Sequence, residues 1–268
     1  MLDTQFPIVC LRASAGSLSA IKAFFRHMPA DSGMAFVGVM HLSPNHESHL
    51  AELLARHTRM SVQVAEDGLP VGFNHVYVLT PGTTLTIRER ALQAVAPACN
   101  DHTPTDAFFC ALAEGQSRFA IVVVLFGACS DSSIGVRAVK EHVGMVIIQS
   151  DGVAECGEMP RDARLGDGDY VLPMEEMSPR LIEYAAHLED AGDSQIDDGL
   201  RKNGRQPLKH ILALLTRAPV TIFRNTKKNT VIRRIERRMQ VNRSRSPADY
   251  LDRLCDSPEE TKCSSTTR

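Results

Sequence analysis

The 268-residue chain lacks the marks of several protein classes. No run approaches the roughly 18 consecutive apolar residues that a membrane-spanning helix requires, so no membrane insertion is expected. Residues 1–10 show no basic flank, apolar stretch and small-residue cleavage site in succession. They are therefore expected to lead into a first strand rather than to act as a signal peptide. No C-x-x-C pair occurs, and the seven cysteines, at 10, 99, 110, 129, 156, 255 and 263, are odd in number and widely spaced. A disulfide framework or a zinc site is not expected, and a reducing cytoplasm fits best. Internal repeats are absent too, as is a glycine-rich nucleotide loop within 200–268.

What is present is a division of charge. Residues 1–200 carry 13 Lys+Arg against 26 Asp+Glu, a balance of −13, whereas residues 201–245 carry 14 against the single acid Glu236, a balance of +13. The split predicts two units with different partners. The length suits one domain of about 190 residues and a smaller one.

Over the first 175 residues short apolar runs alternate with amphipathic ones. Strand-like runs cover 7–11, 35–40, 120–126, 145–149 and 170–172. Between them Ile21, Phe24 and Phe25, then Leu50, Leu53 and Leu54, then Ile134, Val136, Val139 and Val143, recur at helical spacing. Such alternation predicts an α/β fold, a doubly wound and mostly parallel sheet with helices on both faces. Runs 75–80, 84–88 and 92–96 lie close together, with Pro81-Gly82 between the first two, and predict a small antiparallel meander. Thr103-Pro104-Thr105-Asp106 reads as a helix start. The acidic, glycine-containing stretch 189–206 reads as a linker, and the helical patterns after it as a short all-α module. The expected organisation is a first domain over 1–188, the linker, and a helical module over 207–268.

Ligands of open parallel sheets bind beyond the carboxyl ends of the strands, and three reactive residues fall there. Ser14, in Leu11-Arg12-Ala13-Ser14-Ala15-Gly16, follows a strand and precedes a helix, as in a nucleophile elbow. His41 directly follows the second strand run and is a general base to consider. Asp131, in Gly127-Ala128-Cys129-Ser130-Asp131-Ser132, follows the 120–126 run and could orient a histidine. Taken singly, Ser14 reads first as a helix cap, His41 as a loop histidine and Asp131 as a cap of the next helix. It is their shared place at one sheet edge that points to a serine hydrolase.

Several segments then resemble the catalytic domain of the CheB-type protein-glutamate methylesterases: Ser32-Gly33-Met34-Ala35-Phe36-Val37, His41-Leu42-Ser43-Pro44-Asn45-His46-Glu47-Ser48, Glu52-Leu53-Leu54-Ala55-Arg56-His57-Thr58, Glu66-Asp67-Gly68, Asn74-His75-Val76-Tyr77-Val78, Asp101-His102 and Met159-Pro160-Arg161. The resemblance covers about residues 5–186. It implies a triad of Ser14, His41 and Asp131, an oxyanion held by backbone N–H groups at Ala15 and Ala128, and hydrolysis of γ-glutamyl methyl esters on chemoreceptors, with deamidation of receptor glutamines as a frequent companion. It implies no metal or organic cofactor. Asn229-Thr230-Val231-Ile232-Arg233-Arg234-Ile235-Glu236-Arg237-Arg238-Met239, with Asp249-Tyr250-Leu251, is similar to the N-terminal helical domain of CheR-type chemoreceptor methyltransferases. That resemblance implies receptor docking through Arg233, Arg234, Arg237 and Arg238. With no nucleotide loop in 200–268, methyltransferase activity is not expected, and without the family's receiver domain neither is phosphorylation gating in cis. The expected partners are a methyl-accepting chemoreceptor and signalling proteins of its pathway.

The chain departs from the family pattern at glycine positions: Arg12 and Ser17 beside the serine, Cys129 and Ser132 beside the aspartate, and Glu158 before Met159-Pro160. If those turns need glycine's freedom, the oxyanion site would be distorted, and the alternative is a catalytically degenerate docking module. Binding of nucleic acid by 201–245 is a weaker alternative, because Phe223 is the segment's one aromatic and no stacking platform can form. A Cys129 nucleophile lacks an evident activating histidine.

Overall fold

The structure, a computed structural model, describes residues 5–13, 18–40, 50–79, 84–95, 104–125, 133–150, 168–191, 210–211, 228–244 and 246–256. The first strand, β1 (Ile8–Ala13), is followed by α1 (Leu18–His27), β2 (Ala35–Met40), α2 (Leu50–Ala55), β3 (Ser61–Val64) and β4 (His75–Val78). Next come β5 (Thr84–Arg88), β6 (Ala91–Val95), α3 (Pro104–Gln116), a 3-10 turn over Ser117–Phe119, β7 (Ala120–Val124), α4 (Ser133–Glu141), β8 (Met145–Gln149), β9 (Tyr170–Leu172) and α5 (Met174–Ala191). The last two helices among the described residues are α6 (Lys228–Val241) and α7 (Pro247–Asp256).

Seven strands form one sheet in the order β3-β4-β2-β1-β7-β8-β9, and every pairing in it is parallel. Parallel strands lie between two helical layers and must be apolar on both faces. On one face Ile8, Cys10, Val37, Val39, Val122 and Val146 join Phe108, Phe109 and Leu112 of α3 and Val136 and Val139 of α4 in one cluster. The alternate residues Val9, Leu11, Phe36, Ile121, Val123 and Ile147 are fully buried as well. On α1 the predicted stripe Ile21, Phe24, Phe25 is buried, and the two phenylalanines meet Phe36 of β2 edge-on at 6.0 and 5.7 Å. Arg26 and His27 occupy the last turn of α1, where cations suit the carboxyl end of a helix dipole.

The antiparallel part is a hairpin of β5 and β6. Of the three runs expected to form a meander, His75–Val78 instead pairs in parallel between β2 and β3. Its buried Val76, Tyr77 and Val78 need cover on both faces, which a hairpin would not supply. The second partner of β6 is the segment near 68–71. Gly68 N–H donates to the Leu92 carbonyl and Val71 N–H to the Arg90 carbonyl, both at 2.8 Å. Two helical expectations also change. Ile134 is 47% exposed, and Val143 lies past the end of α4 with φ 69°. Glu189, Asp190 and Ala191, expected to open the linker, lie in the last turn of α5.

The chain divides into two compact units, Met1–Ala185 and Ala186–Arg268. In the second, α6 and α7 bury Ile235, Met239, Val241, Tyr250 and Leu254, and Asp249 N–H donates to Ser246 Oγ at 3.1 Å, capping α7. Among the described residues no helix is long and apolar enough to cross a membrane.

Candidate functional site

The order of strands sets where chemistry can sit. From β1 the chain moves to β2 and outward on one side, then returns to β7 on the other side and moves outward again. Such a reversal opens a crevice at the carboxyl ends of the central strands. β1 and β2 finish in register, Ala13 opposite Met40, and Arg12 lies opposite Val124 of β7. Pairing continues one step further, because Leu125 N–H donates to the Arg12 carbonyl at 2.9 Å.

Ser14 and His41 are the next residues in the sequence after β1 and β2, and Asp131 precedes the start of α4 by two. Ser14, His41 and Asp131, like Ala15 and Ala128, lie outside the described residues, as do Ser17, Cys129, Ser132 and Glu158. What is described is the frame around them: three adjacent strand ends, with α1 and α4 leading away.

Arg12 can be judged directly. It lies within β1, hydrogen-bonded into register on both sides, and is not among the residues with positive φ. An extended residue needs no glycine, so this departure from the family turn costs no backbone strain. Its guanidinium acts on Cys10, whose thiol is driven far above the ordinary range by complete burial, with Arg12 opposing that in part. Cys10 therefore remains a protonated core residue and no nucleophile.

On the far side of β7, α4 is held from outside itself. The buried carboxylate of Asp106, in the first turn of α3, accepts a hydrogen bond from Gly135 N–H at 2.8 Å. Sequence reasoning read Asp106 only as part of a helix start, and no local pattern reveals a bond spanning 29 residues. Among the described residues no group of three or more His, Cys, Asp or Glu is placed to hold a metal.

The CheB methylesterase family model matches residues 9–181. This chain belongs to that family. The model of the CheR methyltransferase all-alpha domain matches residues 208–263. The chain is 31% identical over 186 residues to protein-glutamate methylesterase/protein-glutamine glutaminase 1 of Xanthomonas campestris pv. campestris, covering 67% of this chain and 52% of that protein. It is 33% identical over 227 residues to an uncharacterized 104.1 kDa protein in the hypE 3′ region of Rhodobacter capsulatus, covering 76% of this chain and 24% of that protein. It thus spans about half the length of the methylesterase and about a quarter of the larger protein. Its fold matches the CheB methylesterase catalytic domain of Thermotoga maritima with a TM-score of 0.58 at 26% identity, over 67% of this chain and 99% of that structure.

Of the four arginines expected to dock a receptor, Arg237 is 5% exposed, which makes it buried rather than open to a partner. Arg238 is half-buried, and the side chains of Arg233 and Arg234 lie outside the described residues.

Proposed function

We propose that this chain is a serine-dependent protein-glutamate methylesterase acting on γ-glutamyl methyl esters of a chemoreceptor. His41 takes the proton of Ser14, whose oxygen attacks the ester carbonyl. The oxyanion is stabilised by backbone N–H groups near Ala15 and Ala128. Collapse expels methanol, which leaves with the proton held by His41. Water then attacks the acyl-enzyme with His41 again as base, releasing the glutamate and restoring Ser14. Asp131 orients His41 and stabilises its imidazolium. The same acyl route applied to a glutamine would release ammonia, in keeping with the glutaminase in the relative's name. The work is expected to take place in the cytoplasm, where receptor signalling domains and their pathway proteins lie.

The observation that carries this reading is the in-register end of β1 and β2, Ala13 opposite Met40, one residue before Ser14 and His41, with β7 on the other side of β1. Membership of the methylesterase family supports it independently. The extended backbone at Arg12 removes one of the grounds for a degenerate site.

The test is methanol release from a methylated chemoreceptor fragment, wild type beside Ser14→Ala. The variant is expected to lose roughly three or more orders of magnitude in kcat. An unchanged rate would reject Ser14 as nucleophile. No release from either protein, with receptor binding retained, would make the chain a docking module.

A further inference from the structure

We propose that Asp106 is a positioning residue of the catalytic centre, holding the segment that carries Asp131 through the first turn of α4. The proposal rests on the reading of Asp131 as the triad aspartate.

The segment from β7 to α4 contains Ala128 and Asp131, and each of its described ends is tied to a different neighbour. At the start, Leu125 N–H donates to the carbonyl of Arg12, two residues before Ser14. At the end, Gly135 N–H donates to Asp106 Oδ1 at 2.8 Å. Gly135 is the third residue of α4, so its N–H is among the four that a helix cannot satisfy internally. A nearby serine or aspartate usually fills that role. Here the acceptor comes from the first turn of a different helix.

The geometry leaves this bond little slack. Asp106 is only 4% exposed, and a carboxylate so buried must be held by hydrogen bonds to be tolerated. A Cβ placed on Gly135 would lie 3.0 Å from Asp106 Oδ1 and 2.6 Å from Phe109 Cβ. Backbone and carboxylate are therefore in direct contact with no room for a side chain between them. Packing of α3 on α4 is already secured by Phe108, Phe109, Leu112, Val136 and Val139. What Asp106 adds is a fixed point at the amino end of α4. Since α4 leads back from β7 to the parallel strand β8, that end stands at the carboxyl edge of the sheet, where the triad is proposed.

The test compares Asp106→Ala with Asp106→Asn in the full chain. The asparagine keeps an Oδ1 acceptor of the same shape, and the alanine keeps none. Methanol release is measured well below the melting temperature and corrected for folded fraction. Asp106→Ala should lose about 10- to 100-fold in kcat with little change in KM, the scale of a small misplacement of a catalytic group. Asp106→Asn should recover most of that loss. Added to Asp131→Asn, Asp106→Ala should cost almost nothing further, because the group it positions is already disabled. Amide exchange over residues 126–136 should accelerate in the alanine variant alone. An unchanged kcat, an additive loss with Asp131→Asn, or unaltered exchange would overturn the proposal. A wild-type protein that releases no methanol, or one indifferent to Ser14→Ala, would remove the centre itself. That failure is recognised from wild type and Ser14→Ala alone, before any Asp106 variant is compared, whereas an active, Ser14-dependent protein with unchanged kcat in Asp106→Ala counts against Asp106 only.

Discussion

Gly135 sets two magnitudes against each other. It lies inside α4, where alanine is favoured over glycine by about 1 kcal/mol on helix propensity. Its missing Cβ, however, would stand 2.6 Å from Phe109 Cβ, an atom fixed to the α3 backbone that cannot swing aside. Overpacking of a tight core typically costs about 1–3 kcal/mol, so packing should win. Gly135→Ala is expected to lower the urea midpoint with an unchanged slope. A midpoint equal to or above wild type would mean that α3 and α4 can separate at small cost. The same position shows what single residues conceal in sequence. Ser14, His41 and Asp131 could be singled out because each follows a strand run in the chain, a local feature. Asp106 and Gly135 have no such signal, because their partnership exists only once α3 and α4 have packed.

Elements were legible where their signal was an apolar run, even at the half-buried edge strand Tyr170–Leu172. The strand expected at 35–40 is Ala35–Met40, that at 145–149 is Met145–Gln149, and that at 170–172 is Tyr170–Leu172. β3, Ser61–Val64, has no such signal, because serine and glutamine alternate with its two valines. Pairing was less legible than position: β4 lies close to β5 in sequence, but parallel partners on both sides outcompete a hairpin. The hairpin that does form turns at Glu89 and Arg90, with φ 49° and 62°, flanked by the pair Arg88 and Ala91. Two-residue turns of this kind favour asparagine and glycine, since other residues lose roughly 1 kcal/mol or more in the left-handed region. Arg90 stacks its guanidinium on Phe6 at 4.1 Å and is best kept. Glu89 is exposed, so Glu89→Asn should stabilise the first unit by about 0.5–1 kcal/mol. A thermal melt shifted upward by a few degrees would bear this out, and a downward shift would mean that the glutamate makes contacts worth more than its backbone strain.

For the molecule as a whole the unexplained quantity is charge. An excess of 13 acids over 1–200 and of 13 bases over 201–245, with two more acids than bases after them, gives the net charge of −2 and concentrates positive charge in residues 201–245. The proposed substrate, a receptor segment whose methyl esters become carboxylates on hydrolysis, would be an acidic partner, and attraction to it would be screened by salt. From about 0.01 to 0.15 M ionic strength the screening length falls from roughly 30 to 8 Å. KM for a methylated receptor fragment should rise several-fold across that range. The chemical step, at the serine centre proposed above, should leave kcat nearly constant. Burial sets Arg237 apart from a docking role in advance. Arg237, 5% exposed, should register mainly as lost stability when replaced by glutamine, because a long side chain packed in the interior is shortened and stripped of its charge. Arg233→Gln combined with Arg234→Gln should instead flatten the salt dependence of KM. A KM indifferent to salt, or a salt dependence untouched by that double replacement, would show that the basic helix does not meet the receptor and that its charge serves some other contact.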